Sequence, residues 1–424
     1  MKIFKFGGAS VNSVERIRNV GEIIQSYKGE KLLVVISAMG KTTNALEKVT
    51  EAFFSQKLEE ALSLFAKVKQ QHLETARQLL TDSLPACEQQ LKEFFTEAEW
   101  LLHDSPVREY DYYYDQVVCI GELLSTALVS HYLNSIGIAN QWMDVRDIIR
   151  TDDNFRDAGI DWTYTQSKVN EVIIPSFSVT NIILTQGFIG ATDENESTTL
   201  GREGSDYSAA VFANMMDAVS QTIWKDVESV MNADPKEFAD VQPIHELNYN
   251  EVIEMAYYGA QVIHPKTIKP LQNKGIPLYV KCFLQPSLEG TVIHGKSLKQ
   301  LPPIIVLKQN QVMIEMSSRD FSFVGEHHVS HLYSLFEKLK VKPNLTQNGA
   351  ISFLCVMDDH TDRIEKLALE ASSLFDVKVL KGLSLLTIRH YDTTILEKMV
   401  NAKSILLRQQ TPETIQVLMT SVTK

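Results

Sequence analysis

The opening residues constrain the fold of this chain more than any other stretch. Residues 2–6 (K-I-F-K-F) form a short apolar run, Gly7 and Gly8 end it, and apolar residues then recur at helical spacing over 10–24. Paired glycines let a backbone turn tightly and aim its N–H groups at a ligand, and a helix N-terminus adds a partial positive charge. Lys5 can bring a full charge to the same place. The stretch therefore predicts a phosphate seat, or else a buried first strand with an ordinary glycine turn.

The same order of strand, small-residue turn and helix recurs further along the chain. Residues 31–38 are almost continuously apolar, a strand is predicted at 181–185, and a second glycine-rich turn opens a helix at about 205–216. Apolar strands that alternate with helices are typical of an open, largely parallel α/β sheet, whose ligands bind at the carboxyl ends of the strands. We expect four loops to meet at that edge, namely 5–10, 37–43, 187–206 and 225–236.

A helical segment interrupts this alternation. Residues from about 44 to 104 contain almost no Gly or Pro and repeat their apolar residues at helical spacing, which predicts an inserted bundle of two or three helices. The stretch 110–115 (Y-D-Y-Y-Y-D) resembles a base-stacking patch, but its acidity favours a packed loop, with Asp115 as the N-cap of the next helix. Glu122 lies within that apolar helix, where Gly121 would allow another element to approach closely.

Length and charge exclude several classes of protein. The chain has 424 residues, which is long for one compact core and favours two or three domains. A net charge of −12 argues against a general nucleic-acid binder, because affinity for a phosphate backbone needs a basic surface. No apolar run reaches the roughly 18 residues that span a membrane, and the first strand leaves no room for a signal peptide. A cytoplasmic protein with no membrane partner is therefore expected.

The C-terminal part of the chain has a different character. Beyond Pro303 the predicted strands are short, near 304–308 and 312–316 for example, and their order with the helices fits two small α+β units of ferredoxin-like type. His327 and His331 share a predicted helix face that a metal could use, but no carboxylate or cysteine completes the set, which favours a solvated helix start and no metal site. The cysteines are far apart in the sequence and are expected to be reduced and buried. They are Cys87, Cys119, Cys282 and Cys355.

These motifs, in this order, resemble those of the aspartate kinases in the amino-acid kinase superfamily. The matching segments are K-F-G-G-A-S at 5–10, V-V-I-S-A-M-G-K-T-T-N at 34–44, G-E-L-L-S at 121–125, D-V-R-D-I-I-R-T-D at 144–152, T-Q-G-F-I-G at 185–190, T-T-L-G-R-E-G-S-D-Y at 198–207, W-K-D-V at 224–227 and V-I-H-P at 262–265. Eight collinear motifs make the resemblance specific, and it covers nearly the whole chain.

The resemblance implies a fold and an activity. It implies a three-layer amino-acid kinase sandwich at 1–296, followed by tandem ACT domains at 304–424. The activity it implies is transfer of the γ-phosphoryl group of ATP, supplied with Mg²⁺, to the side-chain carboxylate of L-aspartate, toward lysine, threonine and methionine. ACT domains further imply a homodimer or larger homo-oligomer, and feedback by lysine or threonine near 317–325 and 344–350.

The reaction implied by the resemblance suits the residues present. A carboxylate with an ordinary pKa of about 3.9 is already ionised at neutral pH, so it needs no strong general base to attack. The reaction needs two anions to be aligned and the charge on the phosphoryl oxygens to be neutralised. Lysines and the N–H groups of glycine turns supply that, and we expect Mg²⁺ to arrive on ATP, with no metal site in the protein itself.

By resemblance, one set of residues would serve the nucleotide. Lys5 would hold the ATP phosphates with Gly7, Gly8 and Ser10, and Asp206 would orient Lys5. Asp206 could instead be an acid that the helix dipole favours in a first turn. The remaining residues that match the nucleotide side are Lys225, Asp226, Met231, Lys236 and Gln261.

A second set would serve the amino acid. Arg202 would clamp the α-carboxylate of aspartate, because its planar fork matches a carboxylate with two hydrogen bonds. Glu122 would pair with the α-ammonium group. The residues expected to line the pocket are Thr43, Phe188 and Ser205, although Phe188 could equally be an ordinary core residue.

Three positions depart from the family pattern. Ala9 replaces a common Thr, Glu203 replaces the first of two glycines after Arg202, and Gln261 replaces a common Lys. Glu203 would cost energy if its position needs a positive φ, and would otherwise point outward. The cations that could substitute for the missing lysine are Lys41, Lys225 and Lys266. Two other hypotheses stay open: a catalytically silent, amino-acid-binding regulatory subunit, and another amino-acid kinase of the same fold, such as a glutamate or acetylglutamate kinase.

Overall fold

The computed structural model describes residues 1–260, 262–298, 300–400 and 404–420. These residues form two compact units. The first unit contains Met1–Val230, Pro243–Ile253 and Val262–Leu298, and the second contains residues 231–242, 254–260, 300–400 and 404–420. The domain limits expected from the sequence, 1–296 and 304–424, stay a prediction.

The helices and strands are numbered in chain order. The α-helices α1 to α13 are Val14–Gln25, Thr42–Phe54, Leu58–Leu79, Leu84–Leu102, Tyr110–Ser135, Trp162–Lys168, Ile174–Ser176, Gly204–Met215, Tyr249–Tyr258, Pro265–Lys274, Glu326–Lys338, Thr361–Ala371 and Thr393–Val400. The strands β1 to β18 are Lys2–Phe6, Leu32–Ile36, Gln141–Met143, Ile182–Gln186, Ile189–Ala191, Ser197–Thr199, Ser220–Lys225, Val230–Met231, Pro243–Ile244, Glu246–Asn248, Leu278–Cys282, Thr291–His294, Ile304–Ser318, Pro343–Asn348, Ser352–Asp358, Phe375–Arg389, Ile405–Gln410 and Thr414–Thr420. Shorter helical turns lie at Gly8–Val11, Val145–Asp147 and Val169–Ile173.

The first unit is built on an eight-stranded sheet with the order β10-β12-β11-β7-β1-β2-β4-β3. Neighbouring strands run parallel except β11 and β12, which are antiparallel. Helix α8 packs against β1, β2 and β7, and α5 packs against β2, β3 and β4. The predicted α/β class with an open, mainly parallel sheet is confirmed.

The first strand lies in the middle of this sheet. It pairs with β2 on one side and β7 on the other, and all three end at the same level, with Phe6 opposite both Ile36 and Trp224. Every residue of β2 is buried, as its continuous apolar run predicts for a strand covered on both faces. The loops that follow these three strands therefore emerge side by side.

Helix α5 is the long core helix of the first unit. Of the described helices, it is the one that is long and apolar enough to cross a membrane, but 89% of its most apolar window is buried inside the protein, as in a core helix. The predicted N-cap at Asp115 is wrong, because the helix begins at Tyr110, with Glu109 at its N-cap position. The predicted helical insertion is confirmed: α2, α3 and α4 pack against one another in sequence order, and α2 and α4 pack against α5.

The second unit contains a six-stranded antiparallel sheet with the order β14-β15-β13-β16-β18-β17. Helices α11 and α12 contribute to one apolar cluster, centred on Leu332, Phe336 and Leu367, and α13 contributes to another through Leu396. This agrees with the predicted ferredoxin-like class. The predicted separate strands at 304–308 and 312–316 are wrong, because Ile304–Ser318 is one strand whose pairing shifts register in its middle. All four cysteines are free and buried, as predicted.

Candidate active site

The candidate site lies where β1, β2 and β7 end. The turn after β1 touches the loop after β2, since Gly40 N–H donates to the Gly8 carbonyl at 3.0 Å. A Cβ atom on Gly8 would come within 2.6 Å of the Ala38 carbonyl oxygen, so no other residue fits there without movement. Ser10 lies in the following helical turn, and its hydroxyl is directed at the Trp224 carbonyl of β7, 3.5 Å away. The predicted loops 5–10 and 37–43 thus contact each other, and the first of them also reaches the end of β7.

Lys5 and Asp206 form a buried ion pair in this site. The Lys5 Nζ atom lies 2.6 Å from Asp206 Oδ1, and the two side chains are 11% and 5% exposed. Burial opposes ionisation of Asp206, but the charges of Lys5 and Lys225 outweigh it, so the pKa of Asp206 lies below its ordinary value. The carboxylate comes from the first turn of α8, where the helix dipole also favours a negative charge. The pair places a fixed cation beside the glycine turn.

Glu122 is a second buried carboxyl group, but it has a different environment. It is 3% exposed on α5, and its Oε1 atom accepts a 2.9 Å hydrogen bond from the Ala38 N–H. Its Oε2 atom is buried and has no hydrogen-bond partner among the described residues. Burial raises the pKa of Glu122 to about 8, although the Ala38 N–H and the Lys5 charge act in the opposite direction. Once the carboxyl group releases its proton, this oxygen can accept a hydrogen bond from a cationic donor that enters the site.

Gly121 explains how Glu122 reaches the loop after β2. A Cβ atom on Gly121 would lie 3.1 Å from Thr42 Cγ2 and 3.2 Å from Ala38 Cβ, so the missing side chain lets α5 approach that loop closely. The close approach predicted at Gly121 is confirmed. One turn along α5, Ser125 donates to the Ser37 carbonyl at 2.8 Å and holds the same loop.

The turn before α8 answers the question that the sequence raised about Glu203. Glu203 has φ 53° and ψ 29°, in the left-handed region that favours glycine, so the side chain carries a conformational cost. It does not simply point outward, because its Oε2 atom accepts a 2.8 Å hydrogen bond from the His264 N–H. The neighbouring Arg202 is exposed and Ser205 is buried. Phe188 is half-buried with φ 70°, and its N–H donates to Ser208 Oγ.

The remaining predicted residues fall into three groups. Thr43 is half-buried in the first turn of α2, Lys225 ends β7 with its Nζ atom donating to the Val262 carbonyl, and Asp226 is exposed. Met231 and Lys236 belong to the second unit, so their roles stay predictions. Gln261 lies outside the described residues. Of the cations considered as substitutes, Lys266 is engaged by the Leu200 carbonyl and Asp157, and Lys41 is exposed.

Sequence reasoning missed the part that Asp115 plays. This residue is fully buried inside α5, and its carboxylate accepts from the Thr199 N–H and hydroxyl, both at 2.7 Å, and from the Arg156 N–H at 3.0 Å. Burial raises the pKa of Asp115 to about 6, although these donors act in the opposite direction. Asp115 thereby fixes the segment that leads into Arg202. Its one sequence signal was an acid at the edge of an apolar helix.

The donors collected here suit phosphate oxygens. They are lysine ammonium groups and backbone N–H groups beside a helix start. Among the described residues, no group of three or more His, Cys, Asp or Glu side chains is placed to hold a metal ion.

The chain is similar to proteins of known family. Residues 1–282 match the model of the Amino acid kinase family. Aspartokinase 3, chloroplastic, of Arabidopsis thaliana is 32% identical over 84% of this chain, and the chain spans 64% of that relative's length. Aspartokinase 2, chloroplastic, of the same plant is 30% identical over 91% of this chain and 73% of the relative. Lysine-sensitive aspartokinase 3 of Escherichia coli is 29% identical over 91% of this chain and 86% of the relative.

A solved structure extends the likeness to the whole fold. E. coli aspartokinase III in complex with aspartate and ADP superposes with a TM-score of 0.83 and 25% identity, over 99% of this chain and 96% of that one. The match includes the second unit as well as the first, which supports the three-layer kinase sandwich and the ACT-like sheet. Family model, sequence relatives and structure agree, and the chain therefore belongs to the aspartokinases of the amino acid kinase family.

Proposed function

We propose that this chain transfers the γ-phosphoryl group of ATP to the side-chain carboxylate of L-aspartate and forms 4-phospho-L-aspartate and ADP. The product would enter the routes to lysine, threonine and methionine. The proposal rests on membership of the aspartokinases and on the charges that the site collects. The observation that carries it is the buried Oε2 atom of Glu122, which has no hydrogen-bond partner among the described residues and lies beside the loop that contacts the glycine turn after β1.

Glu122 fits an α-ammonium group better than any neutral ligand. A buried carboxyl oxygen without a donor costs free energy, and an entering ammonium group would supply both the donor and the opposite charge. The α-carboxylate of the same substrate would then be bound by Arg202, which is exposed and not folded into the core. Together these charges select a free amino acid. Thr43, Phe188 and Ser205 would line the rest of the pocket.

Lys5 is the proposed contact to the transferred phosphate. Its ammonium group is already held by Asp206, so it needs no rearrangement when the phosphate arrives. The N–H groups of Gly7 and Gly8 would bind the neighbouring phosphate oxygens. Ser10 would support them, since its own N–H closes the turn by donating to the Gly7 carbonyl at 2.8 Å. Lys225 and Asp226, with Met231, Lys236 and Gln261, are the proposed contacts on the nucleotide side.

The transfer itself is an in-line displacement. An oxygen of the substrate's side-chain carboxylate forms a bond to the γ-phosphorus, the bond from that phosphorus to the β–γ bridging oxygen breaks, and ADP leaves with the electron pair. No proton is removed from the nucleophile, because a carboxylate is ionised at neutral pH. The enzyme contributes alignment and neutralisation of charge, which dominate phosphoryl transfer.

A hydroxylamine-trapping assay tests this proposal. The protein is incubated with Mg-ATP and, in separate reactions, aspartate, glutamate or acetylglutamate, and acyl-hydroxamate is measured. Aspartyl-hydroxamate from aspartate alone is the expected result. Hydroxamate from glutamate or acetylglutamate would indicate another amino-acid kinase, and none from any substrate would indicate a silent regulatory subunit.

We also propose that an amino acid, lysine or threonine, regulates the enzyme through its second unit. The relatives support this, since one is named lysine-sensitive and one E. coli structure contains lysine. A homodimer or larger homo-oligomer and a cytoplasmic location stay predictions. Analytical ultracentrifugation of the full chain, with and without each amino acid, tests the first of them.

A further inference from the structure

Glu203 occupies a backbone position that favours glycine over glutamate. Its φ of 53° lies in the left-handed region, directly before α8 begins at Gly204. The carboxylate reaches across to the His264 N–H, which lies at the N-cap position of α10. A charge-assisted hydrogen bond of 2.8 Å offsets the conformational cost. The side chain thus ties the turn before α8 to the segment before α10.

The segment reached by Glu203 also contacts the nucleotide side of the site. We call residues 262–266 the bridging segment. At one end, the Val262 carbonyl accepts a 2.7 Å hydrogen bond from Lys225 Nζ, at the end of β7. At the other end, Lys266 Nζ donates to the Leu200 carbonyl at 3.0 Å and to Asp157 at 2.9 Å. The bridging segment is therefore bonded both to Lys225 and to the turn that carries Arg202.

We propose that Glu203 is a positioning residue that couples the nucleotide and amino-acid halves of the site, by holding the bridging segment against the turn that carries Arg202. This inference rests on the proposed function, which assigns Lys225 to the nucleotide and Arg202 to aspartate. Glu203 touches neither substrate in this account. It acts through Arg202 beside it and through Lys225 across the bridging segment.

The binding of the two substrates is coupled because each of them orders the same connected segments of the chain. Binding of ADP fixes Lys225 and, through the Val262 carbonyl, the bridging segment. The hydrogen bond from His264 passes that order to Glu203 and so to Arg202. Aspartate then binds to a turn that is already ordered, and its affinity rises; by reciprocity, aspartate strengthens ADP binding by the same factor. Without the Glu203 carboxyl acceptor, the hydrogen bond from Lys266 to the Leu200 carbonyl still joins the bridging segment to this turn, but nothing joins it to the residue beside Arg202, and the coupling weakens.

Three substitutions separate this role from a structural one. Glu203→Gln keeps an acceptor for the His264 N–H. Glu203→Ala loses the acceptor and keeps a side chain in the left-handed region, while Glu203→Gly loses the acceptor and relieves the backbone. If Glu203 served stability alone, the Gly variant would resemble wild type and the Ala variant would be the weakest. If it positions the substrates, the Gly and Ala variants should lose the effect of Mg-ADP on aspartate binding to the same extent, although they differ in stability.

The measurement is the dissociation constant of aspartate by calorimetry, with and without saturating Mg-ADP. In the wild type and in Glu203→Gln we expect Mg-ADP to tighten aspartate binding by about tenfold, within the usual range of coupling between sites. In Glu203→Ala and Glu203→Gly the tightening should fall below about twofold. Urea unfolding of all three variants, measured in parallel, should place Gly above Ala in stability.

The chain offers a matched control at the other end of the same two helices. Asp217 follows α8, has φ 47°, and its carboxylate lies 2.6 Å from Lys274 Nζ in the last turn of α10. It is therefore another acid in the left-handed region that ties α8 to α10, about 21 Å from Glu203 along the direction of α8. Asp217→Ala and Asp217→Gly should leave the effect of Mg-ADP on aspartate binding unchanged.

Two outcomes would overturn the inference. One is a coupling factor in Glu203→Ala and Glu203→Gly equal to that of the wild type, and the other is an equal loss in the Asp217 variants. Failure of the proposed function is a separate result, because it would appear as a wild-type protein that binds no aspartate or forms no aspartyl-hydroxamate.

Discussion

Two carboxyl groups lie close to Lys5 in the same site, and the protein treats them in opposite ways. Asp206, at the start of α8, lies 2.6 Å from the Lys5 ammonium, and its pKa lies below the ordinary value. Glu122, in the middle of α5, has one oxygen on a backbone N–H and the other without a partner among the described residues, and its pKa is raised to about 8. Both side chains are almost fully buried.

The difference separates the two roles that we propose: Asp206 forms an ion pair within the folded protein, and Glu122 pairs with a ligand. Asp206 already has its cation, so it can fix Lys5 before substrates arrive. Glu122 has no such cation paired with it among the described residues, so we expect its carboxyl group to ionise fully only when a cationic ligand binds. The four predictions below test this comparison.

Lys5→Met should have the largest effect. Turnover is expected to fall about 1,000-fold, because the variant loses the proposed contact between the preorganised Lys5 ammonium and the transferred phosphate. The free energy of unfolding should fall by about 3 kcal/mol, because Asp206 loses its buried partner. Steady-state kinetics and urea unfolding check both values.

Lys2→Met is the matched control for that variant. Lys2 lies on the same strand and pairs with Glu30 at 2.7 Å, but at the surface, where ion pairs contribute about 1 kcal/mol or less. It should keep wild-type turnover. A Lys5→Met variant within tenfold of wild type would contradict the role of the Lys5–Asp206 pair.

Glu122→Gln should raise the KM for aspartate roughly 10- to 100-fold and leave the KM for ATP unchanged, because an amide still accepts from the Ala38 N–H but does not neutralise an ammonium group. The variant should also be more stable than wild type at alkaline pH. Because its pKa is raised, the contribution of Glu122 to the stability of the wild type is complete below about pH 4.5 and is lost as pH rises toward 8. An unchanged aspartate KM would show that Glu122 does not bind the ammonium group.

The affinity for aspartate should depend on pH through the same group. Below about pH 8 Glu122 is mostly protonated, and it must release that proton to pair with an ammonium group. Affinity should therefore rise by up to about tenfold per pH unit between pH 6 and 8 and then level off. Calorimetry in two buffers of different ionisation enthalpy measures the released proton. The Glu122→Gln variant should show neither the slope nor the release.

His72→Leu should have the smallest effect. It tests whether a buried ionisable group with a shifted pKa must also bind substrate. It is fully buried in α3, its Nδ1 atom lies 2.8 Å from the Val68 carbonyl, and burial lowers its pKa to about 4. A lowered pKa of a base means that its contribution to stability is complete above about pH 6.5 and is lost as pH falls. Between pH 7 and 5, wild type should lose about 2 kcal/mol relative to His72→Leu.

Aspartate binding should be the same in wild type and His72→Leu, since the group lies in the helical insertion. His103, which is exposed at the end of α4, supplies the control: His103→Leu removes no buried group and should keep the wild-type affinity for aspartate. A change in aspartate affinity in His72→Leu would break the distinction between the two kinds of buried group.

The sequence predicted the frame of the site because its signals are local. The apolar run at β2 predicts a buried strand, and the glycines after β1 predict a tight turn. Parallel pairing of the strands then brings their loops together. Asp115 was misplaced because an N-cap is inferred from a short window, whereas its hydrogen bonds go to Thr199, 84 residues away. The tie from Glu203 to His264 was equally hidden, since the sequence raised the backbone question but not the partner. The strand Pro343–Asn348 was missed because proline and asparagine open it.

The central position of β1 has a consequence for how the protein is made. Phe6 lies between Ile36 and Trp224, and the Ser10 hydroxyl faces a carbonyl 214 residues away. A nascent chain that has emerged only as far as α7 contains the glycine turn after β1 and the flanking strand β2, but the other flanking strand, β7, is still absent. The surroundings of the glycine turn after β1 therefore stay incomplete until β7, some 214 residues further along the chain, has also been synthesised.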